Sequence, residues 1–346
     1  MAVQVVMDKK VYRVGSRESE LALIQTNLVI EYLQEKYPKC KFDIVTMSTL
    51  GDQILDKPLP KIGEKSLFTK ELETALENGS VDFVVHSLKD MPTSLPNGLA
   101  IGAILEREDP RDAILLNTKL RGSTLSSLPE NSVIGTSSLR RTAQLRRKYP
   151  HLVIKDIRGN LQTRLRKLEQ GHYDGIVLAA AGVNRMGWEH HISKILDNDE
   201  MMYAVGQGAL AVECRSKDCK YFSSLNHEET VLRTIAERSL LCALGGGCSA
   251  PVAVCSEYKD ETLKLTAAVW SLDGQITVHM DAECDINEKV DESKRLPLYC
   301  GISDCGLNQQ KVLRAFCLGS DLAKSMSEKG ALRIIEEAKA SIAATI

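Results

Sequence analysis

Short β-rich runs alternate with amphipathic helical segments over roughly the first 215 residues of the chain. One helical segment places Leu21, Ile24, Leu28 and Tyr32 on a single face and ends before Pro38. Strands that are joined by helices tend to pair in parallel, with the helices covering the faces of the sheet. The pattern therefore predicts α/β lobes built on parallel sheets. The predicted strands are residues 11–15, 42–47, 81–86, 99–104, 132–136, 152–157 and 174–179.

The chain changes character at two points. The charged, proline-bearing segment 105–112 separates two strands, which indicates a hinge between a first and a second lobe. After about residue 228 the pattern becomes a helix over 228–244, a glycine-rich turn and three strands, with helices again from about residue 309. This order predicts a C-terminal α+β domain. Its strands are predicted at residues 252–256, 263–271 and 275–282.

The composition excludes several classes of protein. The chain has 346 residues, with 44 Lys and Arg against 46 Asp and Glu, so its net charge of −2 gives no overall attraction to nucleic acid or membrane. Its longest apolar run, residues 176–183, is far shorter than the roughly 20 residues of a membrane span. The N-terminus carries no signal-peptide pattern, and the ten cysteines include no CxxC pair. We therefore expect a cytoplasmic protein with reduced thiols, no membrane partner and no bound metal.

Four of the predicted strands run into polar loops. These loops are residues 16–19, 87–90, 137–141 and 158–160, and each contains Arg or Lys. Ligands of open α/β sheets bind beyond the carboxyl ends of the strands, so the loops should face one cleft between the lobes. Three of them place Ser or Asn where a helix begins, which leaves backbone N–H groups for an anion. Helix capping alone explains any one loop, but several on one edge favour an anion-binding site.

Residues 136–170 are strongly basic, with ten Lys and Arg against two acids. A solvated helix face explains Arg146, Arg147, Lys148 and Lys167. A nucleic-acid interface is the competing interpretation, but the segment has a single aromatic residue and no recognised binding motif. We therefore expect no nucleic-acid partner.

Two further positions carry chemistry. Lys89-Asp90 places an acid among the cationic loops, where a carboxylate could stabilise positive charge and move protons. A salt bridge that holds the loop is the alternative for Asp90. Cys248 lies in a Gly-Gly-Gly-Cys turn, and an exposed thiol there could be a nucleophile or an attachment point. From its residues alone, that turn is better interpreted as a connection with an incidental cysteine.

The chain contains, in this order, Val14-Gly-Ser-Arg-Glu-Ser-Glu-Leu-Ala22, His86-Ser-Leu-Lys-Asp-Met-Pro92, Gly135-Thr-Ser-Ser-Leu-Arg-Arg141, Ile157-Arg-Gly-Asn160, Ala204-Val-Gly-Gln-Gly-Ala209, and Glu237-Arg238 followed by Gly246-Gly-Cys-Ser-Ala-Pro251. Together these segments resemble the hydroxymethylbilane synthase (porphobilinogen deaminase) family of the haem pathway. The resemblance covers about residues 11–272. Each motif is weak alone, whereas the ordered set is highly specific.

The resemblance implies a fold of two lobes built like type II periplasmic binding proteins, followed by a small C-terminal α+β domain. In such proteins the chain returns to the first lobe after it has formed the second. The implied domains are residues 1–105 with 204–226, residues 106–203, and residues 227–346. The family expectation for the oligomeric state is a monomer.

The resemblance also implies a covalent dipyrromethane cofactor, joined by a thioether to Cys248, and so it reverses the incidental interpretation of that residue. The reaction would deaminate porphobilinogen, condense four units head to tail onto the cofactor, and release linear hydroxymethylbilane with water. Each pyrrole ring of cofactor and substrate carries two carboxylates, which the fork of an arginine side chain matches.

Motif positions imply roles for individual residues. Asp90 matches the family's catalytic aspartate, which would assist the loss of ammonia, stabilise the cationic intermediate and remove the α-proton after coupling. Phe68 falls where the family places an aromatic ring beside the growing chain. The implied cofactor contacts are Cys248, Lys89, Asp90, Ser137, Ser138, Arg140, Arg141, Arg158 and Gln207. The implied substrate contacts are Arg17, Ser19, Gln25, Phe68, Thr136, Arg158, Arg164 and Arg185.

Two questions stay open from the sequence. The acid- and cysteine-rich residues 281–308 do not align with the family, and a disulfide or metal site among Cys284, Cys300 and Cys305 is a hypothesis. The alternative function is a non-catalytic two-lobed protein that binds a small anionic ligand. Such a protein needs the arginines but neither Asp90 nor Cys248.

Overall fold

The computed structural model describes residues 7, 9–53, 68–245 and 250–344. Within them the chain forms two five-stranded mixed sheets and one three-stranded sheet, each covered by helices. In the same residues no helix is both long and apolar enough to cross a membrane. The expected fold, two periplasmic-binding-protein-like lobes followed by a small α+β domain, is confirmed.

The first lobe has a mixed sheet in which one strand arrives late in the chain. Its strands are β1 (Val11–Arg17), β2 (Lys41–Met47), β3 (Phe83–Ser87), β4 (Leu99–Ile104) and β10 (Leu210–Arg215). They pair in the order β2-β1-β3-β10-β4, and β10 runs antiparallel to both neighbours. The expectation of a purely parallel sheet is therefore wrong, because β10 enters from the second lobe in the opposite direction. The helices are α1 (Glu20–Lys36), α2 (Leu50–Gln53) and α3 (Lys70–Glu77).

The second lobe repeats this arrangement. Its strands are β5 (Asp112–Leu116), β6 (Val133–Gly135), β7 (Val153–Lys155), β8 (Gly175–Ala179) and β9 (Lys194–Ile195). They pair in the order β7-β6-β8-β5-β9, and β5 is the antiparallel strand. In each lobe, then, the inserted antiparallel strand is the one that has just crossed from the other lobe. The helices are α4 (Leu139–Lys148), α5 (Leu161–Glu169) and α6 (Ala180–Arg185).

Three helices begin at a capping side chain close after a strand. The side chain of Ser19 accepts a hydrogen bond from the N–H of Ala22 and opens α1, and Ser138 opens α4 in the same way. Asn160 opens α5 by accepting from the N–H of Thr163 at 2.9 Å. Each cap satisfies a backbone donor that the first helical turn leaves free. The caps fix where the loops after β1, β6 and β7 turn into helices.

The C-terminal domain is an antiparallel sheet covered by helices, as predicted. The sheet order is β11-β12-β13, with β11 (Val252–Lys259), β12 (Thr262–Trp270) and β13 (Thr277–Asp285). The helices are α7 (Glu228–Ala243), α8 (Gln309–Glu328) and α9 (Ala331–Ala343). Sheet and helices share one continuous apolar core.

The unaligned segment 281–308 completes β13 and then packs against the first lobe. Ile302 forms a bridge to Ile101 of β4, and both side chains are buried. No group of side chains suited to hold a metal ion occurs in the described ranges. The three cysteines of the segment are free thiols, so the hypothesised disulfide among them is not formed; they are Cys284, Cys300 and Cys305.

The turn between β12 and β13 docks on the second lobe. Arg146 of α4 donates a hydrogen bond to the carbonyl of Leu272 at 3.0 Å, and Arg147 donates to the carbonyls of Gly274 and Gln275. Arg146 and Arg147 are exposed, as a solvated helix face predicts, but they also make these contacts between domains. Their guanidinium groups join the second lobe to the C-terminal domain.

Helix α7 holds the C-terminal domain against the hinge. The guanidinium of Arg107 donates two hydrogen bonds to the carboxylate of Glu237, at 2.6 and 3.1 Å, and both side chains are buried. The N–H of Gly206 donates to the same carboxylate at 2.8 Å. The next residue of the helix, Arg238, donates to three backbone carbonyls, those of Met91, Pro92 and Cys300.

Helices α7 and α8 cross so closely that only glycine fits at position 319. A methyl group there would overlap the carbonyl oxygen of Ala236 and the hydroxyl of Ser239. We expect Gly319→Ala to lower the free energy of unfolding by about 2 kcal/mol, the usual scale of overpacking. Urea denaturation measures it. The matched control is Gly182→Ala, also helical, whose added methyl would meet no atom closer than 3.5 Å; equal destabilisation of both variants would contradict the packing argument.

Candidate functional site

A cleft between the two lobes holds a cavity of about 560 Å³. The loops after β1, β3 and β7 line it together with α5 and α6, so it lies beyond the carboxyl ends of strands from both sheets. The structure thus brings most of the residues singled out in the sequence to one place. The predicted site residues that line the cleft are Arg17, Ser19, Gln25, Phe68, Lys89, Asp90, Arg141, Arg158, Arg164 and Arg185.

Asp90 ends a short 3-10 turn, Leu88–Asp90, directly after β3. The turn is anchored because Leu88 is fully buried and its N–H donates to the carbonyl of Ala209 at 3.0 Å. Within the described chain, the carboxylate of Asp90 and the ammonium group of Lys89 make no hydrogen bond or ion pair. Burial lowers the pKa of Lys89 to about 8, although the negative charge of Asp90 acts to raise it. Both groups are therefore available to a ligand.

The first lobe surrounds Asp90 with polar and aromatic side chains. The guanidinium of Arg17 lies over the ring of Phe68, with 4.5 Å from its central carbon to the ring centroid. The amide of Gln25 exchanges hydrogen bonds with the hydroxyl of Ser87 at 3.0 and 3.2 Å. These contacts fix the side chains on the wall where Asp90 stands.

The second lobe contributes a wall of arginines. Burial lowers the pKa of Arg158 and of Arg185. Burial, together with the positive charges of Arg141 and Arg158, lowers the pKa of Arg164 to about 10. All remain protonated near neutral pH, but their charges are less well solvated than in water. An anion that enters the cleft relieves this repulsion, which favours binding of a ligand rich in negative charge.

Two of these arginines keep donors for such a ligand. Arg185 donates to the carbonyl of Gly208 at 2.7 Å, and Arg141 donates to the carbonyl of Val177 at 2.8 Å. The Nε–H groups of both side chains are buried and find no acceptor among the described residues. Guanidinium groups bind carboxylates through parallel N–H donors, so these positions suit a ligand with carboxylates.

Asp112, at the start of β5, is a central residue of the site that the sequence analysis missed. It is fully buried, and its two oxygens accept hydrogen bonds at 2.7 Å from Arg140 and Arg141 and at 2.8 Å from Gln207. Burial alone would raise the pKa of Asp112, but the guanidinium groups of Arg140 and Arg141 hold it well below its usual range. The sequence signal is weak: an acid at the border of an apolar strand needs cationic partners if it is buried, but the same segment holds three other acids.

Five predicted site residues do not line the cleft in the described chain. Arg140 and Gln207 are engaged by Asp112. Ser137 donates to the carbonyl of Ile157 at 2.6 Å. Ser138 caps α4, and its N–H donates to the hydroxyl of Thr136. The roles of these five residues as ligand contacts stay predictions. The predicted attachment residue, Cys248, lies outside the described residues.

The two lobes also touch across the cleft. The amide of Gln162 in α5 donates a hydrogen bond to the carboxylate of Glu20 in α1, and both residues line the cavity. Sequence reasoning missed this pair because neither residue type signals chemistry by itself. The contact links the first lobe to the second across the cleft.

Comparison with known proteins gives one consistent result. The family model described as "Porphobilinogen deaminase, dipyromethane cofactor binding domain" matches residues 12–223. The model described as "Porphobilinogen deaminase, C-terminal domain" matches residues 231–303.

Curated relatives named porphobilinogen deaminase agree with these models. The protein of Nostoc sp. (strain PCC 7120) is 51% identical over 270 residues, which cover 77% of this chain and 84% of that protein. The protein of Prochlorococcus marinus (strain NATL1A) is 46% identical over 94% of this chain and 96% of its own length. Among solved structures, the periplasmic aliphatic sulphonate binding protein of Escherichia coli is 14% identical, with a TM-score of 0.38 over 68% of this chain and 70% of that one.

We expect Asp112→Asn to lower the free energy of unfolding by about 3 to 5 kcal/mol, because it leaves two buried guanidinium groups without their carboxylate. Urea denaturation near pH 7 measures the loss. The control is Asp199→Asn, since that side chain is 80% exposed and 3.5 Å from Lys148; it should change stability by less than about 0.5 kcal/mol.

The same pair of proteins tests the charge state. The folded-state pKa of Asp112 lies below the unfolded value of about 3.9. In this pH range the folded protein therefore binds fewer protons than the unfolded protein. The contribution of the Asp112 charge to the free energy of unfolding is complete above about pH 4 and is lost as the pH falls toward the folded-state pKa. The difference in free energy of unfolding between wild type and Asp112→Asn should therefore become smaller below about pH 4. A constant difference would mean that Asp112 is not an ionised partner of the arginines.

Proposed function

The chain belongs to the porphobilinogen deaminase family and makes hydroxymethylbilane from porphobilinogen, and we propose that the cleft between its lobes is the active site, with Asp90 as the catalytic residue. The chain is an enzyme of tetrapyrrole biosynthesis. In reaction class it is a transferase, since each step moves a pyrrolylmethyl group from ammonia to a ring carbon. The family's substrate, porphobilinogen, is the small-molecule partner.

One observation supports this role for Asp90. Its carboxylate lines the cleft without a hydrogen bond or ion pair in the described chain, although cationic side chains surround it. When ammonia leaves porphobilinogen, it takes the C–N electron pair, and positive charge spreads over the pyrrole ring. A nearby carboxylate stabilises that charge. After coupling, the same carboxylate can accept the proton that the ring α-carbon loses.

The family's dipyrromethane cofactor fits this cleft. The buried Nε–H donor of Arg141 has no acceptor among the described residues, and carboxylates are the acceptors that guanidinium groups prefer. We assign Arg141, Lys89 and Arg158 to the cofactor carboxylates. When bound, the cofactor supplies the primer on which substrate units are joined. Its attachment to Cys248 is part of the proposal.

The remaining arginines then belong to the incoming substrate. Arg17, Arg164 and Arg185 line the same cavity, and Phe68 presents its ring beneath the guanidinium of Arg17. A binding protein without chemistry would need these arginines but would have no use for an unpaired carboxylate beside Lys89. This difference supports the enzyme over the binding protein.

We also propose the domain division of residues 1–105 with 204–226, residues 106–203 and residues 227–346. The place of β10 inside the sheet of the first lobe supports the return of the chain to that lobe. A monomer without nucleic-acid partners stays a prediction, as does the cytoplasmic location.

The first test is Asp90→Asn, which keeps the size of the side chain but removes its charge. We expect kcat to fall by at least about 100-fold, the scale of lost acid–base and electrostatic catalysis. Intact mass should still show the cofactor adduct, which the Cys248→Ser variant should lack. Asp321→Asn, an exposed change on α8, is the control for activity. Turnover of Asp90→Asn close to that of wild type would remove Asp90 from the mechanism.

The second test is Arg164→Lys. The surroundings that lower the pKa of Arg164 to about 10 would act on a lysine whose pKa begins about two units lower, so a small part of its charge would be lost near neutral pH. The bidentate geometry would be lost as well. We expect kcat/KM to fall about tenfold or more. Arg166→Lys, an exposed change on the same helix, should have no effect; similar losses in both variants would argue against a substrate contact.

A further inference from the structure

A small recess opens from the first lobe beside Asp90. Its volume is about 20 Å³, and roughly 10–15 Å³ of such space holds one water molecule. A buried water needs two to four polar partners, and the recess offers them. The polar residues of its lining are Arg17, Gln25, His86, Ser87 and Asp90.

His86 is the lining residue that links the recess to the interior. It lies on β3 and is only 5% exposed. Glu213 of β10 is opposite Val84 in the sheet register, so His86 and Glu213 are diagonal neighbours on one face of the sheet. Nε2 of the imidazole is 2.8 Å from Oε2 of Glu213, which is fully buried. The pair lies in the sheet of the first lobe, and Asp90 follows the strand that carries His86.

The bond to Glu213 fixes which nitrogen of His86 can exchange protons. A fully buried carboxylate needs a hydrogen-bond donor, so Nε2 of the imidazole carries the proton. The other nitrogen, Nδ1, makes no hydrogen bond to the described residues, and it is then the acceptor of the ring. In this arrangement the carboxylate of Glu213 orients the imidazole and stabilises the imidazolium when it forms. The aspartate of a Ser-His-Asp triad has the same two effects on its histidine.

Few other negative charges of the described chain lie close to His86 and Glu213. Glu73 of α3 is also buried, and its carboxyl group accepts a hydrogen bond from Thr69 at 2.6 Å. Burial raises the pKa of Glu73, and the charge of Glu213 raises it further while His86 acts to lower it. Glu73 therefore tends toward its neutral form. Glu213 is then the main negative charge on the inner side of His86, with Asp90 and Arg17 on the recess side.

We propose that a water molecule in the recess joins Asp90 to His86, and that His86, held by Glu213, is a positioning residue that restores the carboxylate of Asp90 in each condensation. Asp90 accepts the proton from the pyrrole α-carbon, and the C–H electron pair returns to the ring. The proton then passes through the water to Nδ1 of His86. It later returns to Asp90 and leaves with the released ammonia as ammonium, so one proton enters and one leaves per unit added. The proposal rests on the catalytic role proposed for Asp90.

The test uses the space that a smaller side chain leaves. We expect His86→Ala to lower kcat by about 10- to 100-fold with KM changed less than twofold, because substrate contacts are untouched. Added imidazole should enter the vacated space and restore much of kcat. Pyrazole has the same size but is a far weaker base, so it should fill the space without restoring kcat. A merely structural role predicts equal rescue by both rings, and that result would overturn the proposal.

Two further variants separate the loss of the proton relay from a loss of structure. His86→Gln retains an N–H for Glu213 but cannot hold the proton, so its kcat should be low and unaffected by imidazole; it also carries the test if His86→Ala does not fold. A wild-type kcat for His86→Gln would overturn the relay. His279→Ala, an exposed strand histidine on β13, is the control. Loss of turnover in Asp90→Asn together with wild-type kcat in His86→Gln would defeat only the relay, whereas active Asp90→Asn would defeat the proposed catalytic role as well.

Discussion

The buried carboxylate of Asp112 is the interaction on which the arrangement of the cleft depends. It stands where the chain first enters the second lobe, and Gln207 reaches it from the segment that leads back to the first. Arg140 and Arg141, from the first helix of the second lobe, complete its shell. One fully buried acid therefore joins both crossings between the lobes to the helix that forms the cationic wall. A single partner lost from such a shell leaves buried charge uncompensated.

The cleft places many positive charges in little water, and this creates its affinity for carboxylates. Burial and the neighbouring guanidinium groups both make each positive charge less stable, as the lowered pKa of Arg164 records. The fold tolerates this because Asp112 neutralises the innermost pair and leaves the outer arginines for a ligand. Asp90 differs from Asp112 and Glu20, because no hydrogen bond or ion pair engages its carboxylate among the described residues. In the proposed function, anion binding and reaction use the same electric field, and Asp90 would stabilise the positive charge that appears on the substrate.

Helix α7 connects the C-terminal domain to the hinge and to the loop that carries Asp90. Its consecutive residues Glu237 and Arg238 bind the hinge and the segment that directly follows Asp90. The helix ends at Ala243, five residues before Cys248 in the sequence. The element that precedes the proposed attachment residue thus also holds the backbone that follows Asp90.

The sequence pattern predicts the lobes and three of the loops because these depend on local periodicity and on where strands end. It misses β10, whose pairing with β3 and β4 joins residues more than a hundred positions apart. It also treats Arg140 and Arg141 alike, although Arg140 is bound to Asp112 and the carbonyl of Met202 and only Arg141 reaches the cavity. Both arginines bind Asp112, so which of them reaches the cavity is decided by where each lies on α4. Asp112 follows three other acidic residues within the hinge segment, and only the fold shows that this acid, at the first position of β5, is the one taken into the interior.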